Sequence, residues 1–128
     1  MKFLSYSLLL FCLSSPLRAA SNCEYKVISI EGVKTIVANP PTVNFKDGKI
    51  FGSASCNNYQ ASFEKKDGHI KVGPGMSTLM ACSPQDVMSQ ESHFLKVLPQ
   101  VSGESKTSNG IIFLDKNFNK LFEVENCS

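Results

Sequence analysis

The chain has 128 residues, 42% of them hydrophobic, with 13 basic against 11 acidic side chains and a net charge of +2. That length suits one domain with one modest core. The near balance of charge excludes the basic footprint of a nucleic-acid binder.

Residues 1–21 read as a secretory signal peptide. Lys2 supplies the positive n-region, Leu8 to Leu13 the apolar h-region, and Ala19-Ala20-Ser21 a small-residue cleavage site. The apolar run breaks at Ser14, Ser15 and Pro16, short of the roughly 20 residues that a membrane helix needs. Neither Cys12 nor Cys23 follows a lipoprotein-type triplet. The expectation is a periplasmic or secreted protein with no stable membrane insertion, whose residues 22–128 form a single monomeric domain. Lys2 and Arg18 leave with the signal, so the remainder is near neutral and has no arginine for bidentate base or phosphate contacts.

Loss of Cys12 leaves Cys23, Cys56, Cys82 and Cys127. An even count in a small exported chain reads as disulfides. Three pairings are open. Cys56 with Cys82 and Cys23 with Cys127 are favoured, because the second pair sits at the chain ends and termini often lie close together.

In chain order, Tyr25 to Ala38 mixes apolar and polar residues around Glu31-Gly32 and reads as two short strands. Asn39-Pro40-Pro41 stops pairing, since neither proline can donate a backbone hydrogen bond. Thr42 to Phe45 and Lys49 to Ser53 flank Lys46-Asp47-Gly48 as a hairpin. Tyr59, Ala61 and Phe63 alternate with polar residues, which predicts a strand with one wet face. Lys65-Lys66-Asp67-Gly68 turns it into a strand from His69 to Val72. Gly73-Pro74-Gly75 is expected to end that strand and begin a loop.

Ser83 is placed as N-cap, Pro84 at the first helical position, and Asp86 at a capping-box-like spacing. Val87, Glu91, Phe94, Leu95 and Leu98 then recur at helical spacing up to Pro99, predicting one amphipathic helix. The tail reads as a weak strand near Val101 to Ser105, a turn at Ser108-Asn109-Gly110, a strand from Ile111 to Leu114, a turn at Lys116-Asn117, and a strand from Lys120 to Val124. The fold class is α+β, a mostly antiparallel, half-barrel-like sheet with one helix packed on it.

A set of these residues resembles the META domain, also called the HslJ-like family. It comprises Gly52, Cys56, Asn57, Tyr59, Gly68, Gly73-Pro74, Thr78, Met80-Ala81-Cys82, Glu91, Phe94-Leu95 and Leu98. The likeness covers roughly residues 25 to 124. Ser55 stands where the family usually has glycine, Leu79 where arginine is common, and Tyr25 near a usual tryptophan. The resemblance implies a small envelope or secreted domain, linked with heat and antibiotic stress, with no established catalytic residue and no cofactor. Asn57, Tyr59, Thr78, Met80, Glu91 and Phe94 are its structural motif.

Four constellations carry possible chemistry. Cys56, His69, Cys82 and His93 have the donor types of a zinc site, but their gaps lack the short paired spacing of zinc modules and export favours disulfides, so no metal is expected. No serine sits in a Gly-x-Ser-x-Gly elbow. His69 on a strand and His93 on the polar side of the helix read as surface residues. Glu91 falls about 40° from Val87 and about 20° from Leu98 on a helical wheel, inside the apolar arc. A lone carboxylate there needs hydrogen bonds, so it is either a raised-pKa general acid or, as favoured, an acceptor for the Asn57 or Thr78 loops.

Gly73 to Thr78, including Pro74, Gly75 and Met76, is either a recognition loop or a plain connector. The function expected is that of a non-enzymatic exported protein of the stress response. The alternatives are a binding or inhibitor module that docks a partner around Gly75, which exposed Met76 and Leu79 would support, and a hydrolase dependent on Glu91. The partner, a protein or small molecule, is not identified by the sequence.

Overall fold

A computed structural model describes residues 23–127. The signal peptide expected at 1–21 lies outside the described residues. Strands β1 (Tyr25–Ile30), β2 (Val33–Lys34), β3 (Thr42–Lys46), β4 (Lys49–Ser53), β5 (Asn58–Lys66) and β6 (His69–Ser77) precede the helix α1 (Gln85–Val97). A 3-10 turn, Leu98–Gln100, then leads into β7 (Gly103–Lys106), β8 (Gly110–Leu114) and β9 (Lys120–Asn126). The strands form one antiparallel sheet in the order β6-β5-β4-β3-β1-β9-β8-β7, with β2 attached to β1. This is the α+β half-barrel with one helix that the alternation and the single amphipathic segment imply.

Local chemistry explains the hairpins. Glu31-Gly32, Asp47-Gly48 and Asp67-Gly68 each carry positive φ at both residues, the twist that matches the strands they join. Bulges explain where simple alternation fails. Register shifts between Val27 and Ser29, which lets Val27 and Ile30, three apart, both face the core. A similar shift opposite Phe113 and Leu114 buries the consecutive pair Leu121 and Phe122.

The concave face is filled by β-branched residues and a chain of rings. Tyr59 meets Phe94 at 5.2 Å, Phe94 meets Phe122 at 5.3 Å, and Phe122 meets Phe113 at 4.8 Å. Phe113 continues to Phe45 at 6.3 Å, and Phe45 to Phe63 at 4.8 Å. Phe94 is the helix's contribution, so α1 is anchored between β5 and β9. Each edge or tilted pair adds about 0.5–1.5 kcal/mol beyond burial.

Two expectations are corrected. Gly73-Pro74-Gly75 does not end a strand, because β6 continues to Ser77. Ala61 pairs with Gly75 and Phe63 with Val72, so Gly73 and Pro74 together oppose Ser62. This bulge on an edge strand absorbs the residue that cannot donate a ladder bond. Ser83 is not the helix cap either. Pro84 occupies that position with φ −76° and ψ 169°, without a side-chain cap bond. Ser83 therefore stands one residue outside the cap, and Asp86 contributes through its charge in the first turn.

Candidate functional site

The turn between β4 and β5 meets the helix through Glu91, which is 4% exposed. One carboxylate oxygen accepts the backbone N–H of Cys56 at 3.1 Å and of Asn57 at 2.6 Å. The other accepts Asn57 Nδ2 at 2.6 Å. Asn57, itself buried, passes the connection on. Its Oδ1 accepts the Thr78 hydroxyl at 2.8 Å and the Met80 N–H at 2.7 Å, while its Nδ2 also donates to Met80 O at 3.0 Å. One buried carboxylate thus holds two loops that are more than twenty residues apart in sequence.

The Cys56–Cys82 disulfide spans the same two loops, with Cα atoms 6.3 Å apart. Cys23–Cys127 joins the start of β1 to the end of β9, neighbouring strands inside the sheet, with Cα atoms 6.0 Å apart. Cys56 and Cys82 are therefore paired with each other. His69 sits at the Asp67-Gly68 hairpin, the opposite end of β6 from Ser77. His93 is half-buried and lies 2.7 Å from a Glu31 carboxylate oxygen. The structure does not gather the four residues weighed as zinc donors.

Tyr59 lies under this knot. It meets Phe94 edge to face and donates its hydroxyl to Thr42 O at 2.7 Å. Burial pushes its phenol well above the ordinary range. Gly52 is needed beside it, because a Cβ there would stand 2.5 Å from Thr42 O.

Two residues outside the expected motif complete the arrangement. Gln90 accepts the Ile36 N–H at 2.7 Å and donates to Asn39 O at 2.8 Å and to the Ser55 hydroxyl at 3.1 Å. Ser55, at φ 129°, donates its hydroxyl to Asn39 O at 2.8 Å. Serine at the usual glycine position thus ties the β4–β5 turn to the loop before β3. The only sequence signal for Gln90 is its place next to Glu91, one step around the helix.

Two recesses adjoin the knot. The larger, about 800 Å³, lies on the outer face of β3 to β6. Asn44, Phe51, Gln60 and Met76 form an uncharged row across its four strands. The smaller, about 180 Å³, separates the second half of β6 from Leu95, Leu98 and Pro99. Met76 borders both. It is 66% exposed, and Leu79, which follows β6, is 93% exposed.

No curated protein matches this chain. Two proteins with NMR structures share its fold. One is 18% identical, with a TM-score of 0.62 over 80% of this chain and 88% of its own. The other, from Burkholderia xenovorans, is 20% identical, with a TM-score of 0.63 over 82% of each chain. The META domain pattern matches residues 18–125, a span holding the Glu91–Asn57 knot, the Cys56–Cys82 pair and the whole of α1. The chain therefore belongs to the META domain family.

Proposed function

We propose that this protein acts by binding rather than by catalysis, as an exported META-domain protein of the envelope or of the heat and antibiotic stress response. The observation that carries the reading is the state of Glu91. Its two oxygens accept three hydrogen bonds from Cys56 and Asn57 in a buried setting. A general acid must reach a substrate atom, whereas this carboxylate is committed to the loops around it. That supports a holding role over a hydrolytic one. The two disulfides support export, since such bonds persist in oxidising compartments. Among the described residues, no helix is long and apolar enough to cross a membrane.

The docking reading has its own support. Met76 and Leu79 are large apolar side chains left in water, Met76 at the border of an open recess and Leu79 just beyond the end of β6, and Leu79 replaces the arginine usual in the family. Complementing a deletion strain under heat or antibiotic challenge tests both. Met76→Ser with Leu79→Ser should lower tolerance while the purified protein melts like the parent. Glu91→Gln should lower tolerance only as far as it lowers melting. If Glu91→Gln abolishes tolerance at unchanged melting and the surface pair has no effect, the enzymatic reading replaces this one.

A further inference from the structure

The docking reading leaves open what kind of partner meets β6, and the following inference rests on it. The two halves of β6 have different neighbours. Near the hairpin, Ile70 donates its N–H to Ser102 O at 2.9 Å, so the residues leading into β7 lie alongside as a next strand would. Beyond Val72 that neighbour is missing, because the chain arrives there through the Leu98–Gln100 turn. Among the described residues, no strand pairs with the outer side of Gly73–Ser77.

The ladder says which groups face outward. Thr78 donates its N–H to Asn58 O at 3.1 Å, which makes Asn58 and Thr78 a hydrogen-bonded pair. Bonded and non-bonded pairs alternate in an antiparallel ladder. Gln60 with Met76 is thus the next bonded pair, and the N–H and C=O groups of Gly75 and Ser77 point away from β5. Beside them lies the 180 Å³ crevice, walled by Val72, Leu95, Leu98 and Pro99. No charged side chain lines it. Gly73 and Gly75 put no side chain over this edge.

We propose that the Gly73–Ser77 edge of β6 accepts an extended polypeptide strand, uncharged and apolar at alternate positions. Outward donors and acceptors on every second residue match another extended main chain. An uncharged apolar crevice would strip a charged side chain of its water without a partner. Alternate side chains of the added strand enter the crevice against Leu95 and Leu98. Those between them flank Met76 on the outer face. The added strand continues the row that Ser102 already occupies beside Ile70.

The probe is the acetylated, amidated heptapeptide Thr-Val-Thr-Val-Ser-Val-Thr, titrated into the isotope-labelled protein and followed by NMR. The amides of Gly75 and Ser77 should shift downfield and exchange more slowly with solvent. Gly75→Pro removes an outward donor while sparing the bonds to β5, and should weaken binding by about tenfold or more. The same peptide N-methylated at alternate residues should lose binding to a similar degree, which tests the contact from the other side should Gly75→Pro fail to fold. Equal binding by the proline variant, equal binding by the N-methylated peptide, or no saturable shift up to about 1 mM peptide overturns the proposal. Shifts confined to Phe51 and Gln60 overturn strand addition but leave the docking reading standing. That reading fails separately if the Met76 and Leu79 substitutions leave stress tolerance unchanged.

Discussion

At the scale of single residues, Glu91 and Asp115 show carboxylates in opposite settings. Glu91→Ala leaves the Cys56 and Asn57 N–H groups and Asn57 Nδ2 without this acceptor and opens a gap beside the core, for an expected loss of about 2–4 kcal/mol. Glu91→Gln keeps one oxygen for the two backbone donors but turns its NH2 toward Asn57 Nδ2, donor against donor. Asn57 cannot flip to relieve this, because its Oδ1 is held by Thr78 and Met80. The glutamine variant should therefore melt between the parent and the alanine variant in thermal denaturation. Asp115 is a partly exposed surface group, and the Asn119 backbone N–H, with further help from the Asn119 side chain, the Asn117 N–H and Lys116, holds its pKa below the ordinary 3.8. A depressed folded-state value means that its contribution is present above the unfolded pKa and lost as pH falls through the folded one. NMR titration should place the Asp115 midpoint below 3.8, with the Asn117 and Asn119 amide signals moving over the same range, and Asp115→Asn should remove that transition.

At the scale of elements, strand packing distinguishes glycines that look alike in sequence. Gly110 opens β8 opposite Glu125, and a Cβ there would collide with Val124 O and come within 2.8 Å of Glu125 Cα. Both obstacles are backbone of β9 and cannot swing aside. Gly110→Ala should therefore cost about 1–3 kcal/mol, read as a lower urea midpoint. Gly103, at the start of β7, has nothing within 4 Å of its would-be Cβ. Gly103→Ala should be neutral or stabilising by up to about 1 kcal/mol, because it restricts the unfolded chain. The helix is the element most dependent on its surroundings. Without a side-chain cap bond, it is fixed by Phe94 between Tyr59 and Phe122 and by Glu91 and Gln90 on the loops.

At the scale of the whole molecule, two cross-links close very different loops. Cys23 and Cys127 are 104 residues apart, and Cys56 and Cys82 are 26 apart. On the chain-entropy account, the long loop is worth about 4.7 kcal/mol and the short one about 3.5. Replacing both residues of either pair by serine should lower the melting temperature, with the larger loss for Cys23 and Cys127. The local consequence should run the other way. Loss of Cys56–Cys82 should speed amide exchange at Asn57 and Met80, whereas loss of the terminal pair should act on β1 and β9. Hydrogen exchange on the two double variants checks this directly.

Much of the fold was legible in the chain itself. Two-residue periodicity, the x-Gly turns and one run of helical spacing report local conformation, which depends on near neighbours and is written in the order of residues. The same reasoning placed Glu91 on the apolar face, because a helical wheel needs only the 3.6-residue repeat. Other features depended on what comes from far along the chain. Gly73-Pro74-Gly75 has the composition of a loop, yet Ser62 across the ladder makes it a bulge within an edge strand. Ser83 has the chemistry of a cap, yet the backbone path from Cys82 gives that position to Pro84. Gln90 gains its partners only where Ile36, Asn39 and Ser55 arrive beside α1. By itself the sequence determined most of the strands, the helix and the place of Glu91 on its apolar face, since these follow from local backbone and solvation preferences, while Asn57, Thr78 and Met80 were marked by the family resemblance. The tertiary structure alone decided which donors meet Glu91 and which edge of the sheet stays open, because hydrogen-bond partners and sheet edges are set by contacts between segments distant in sequence.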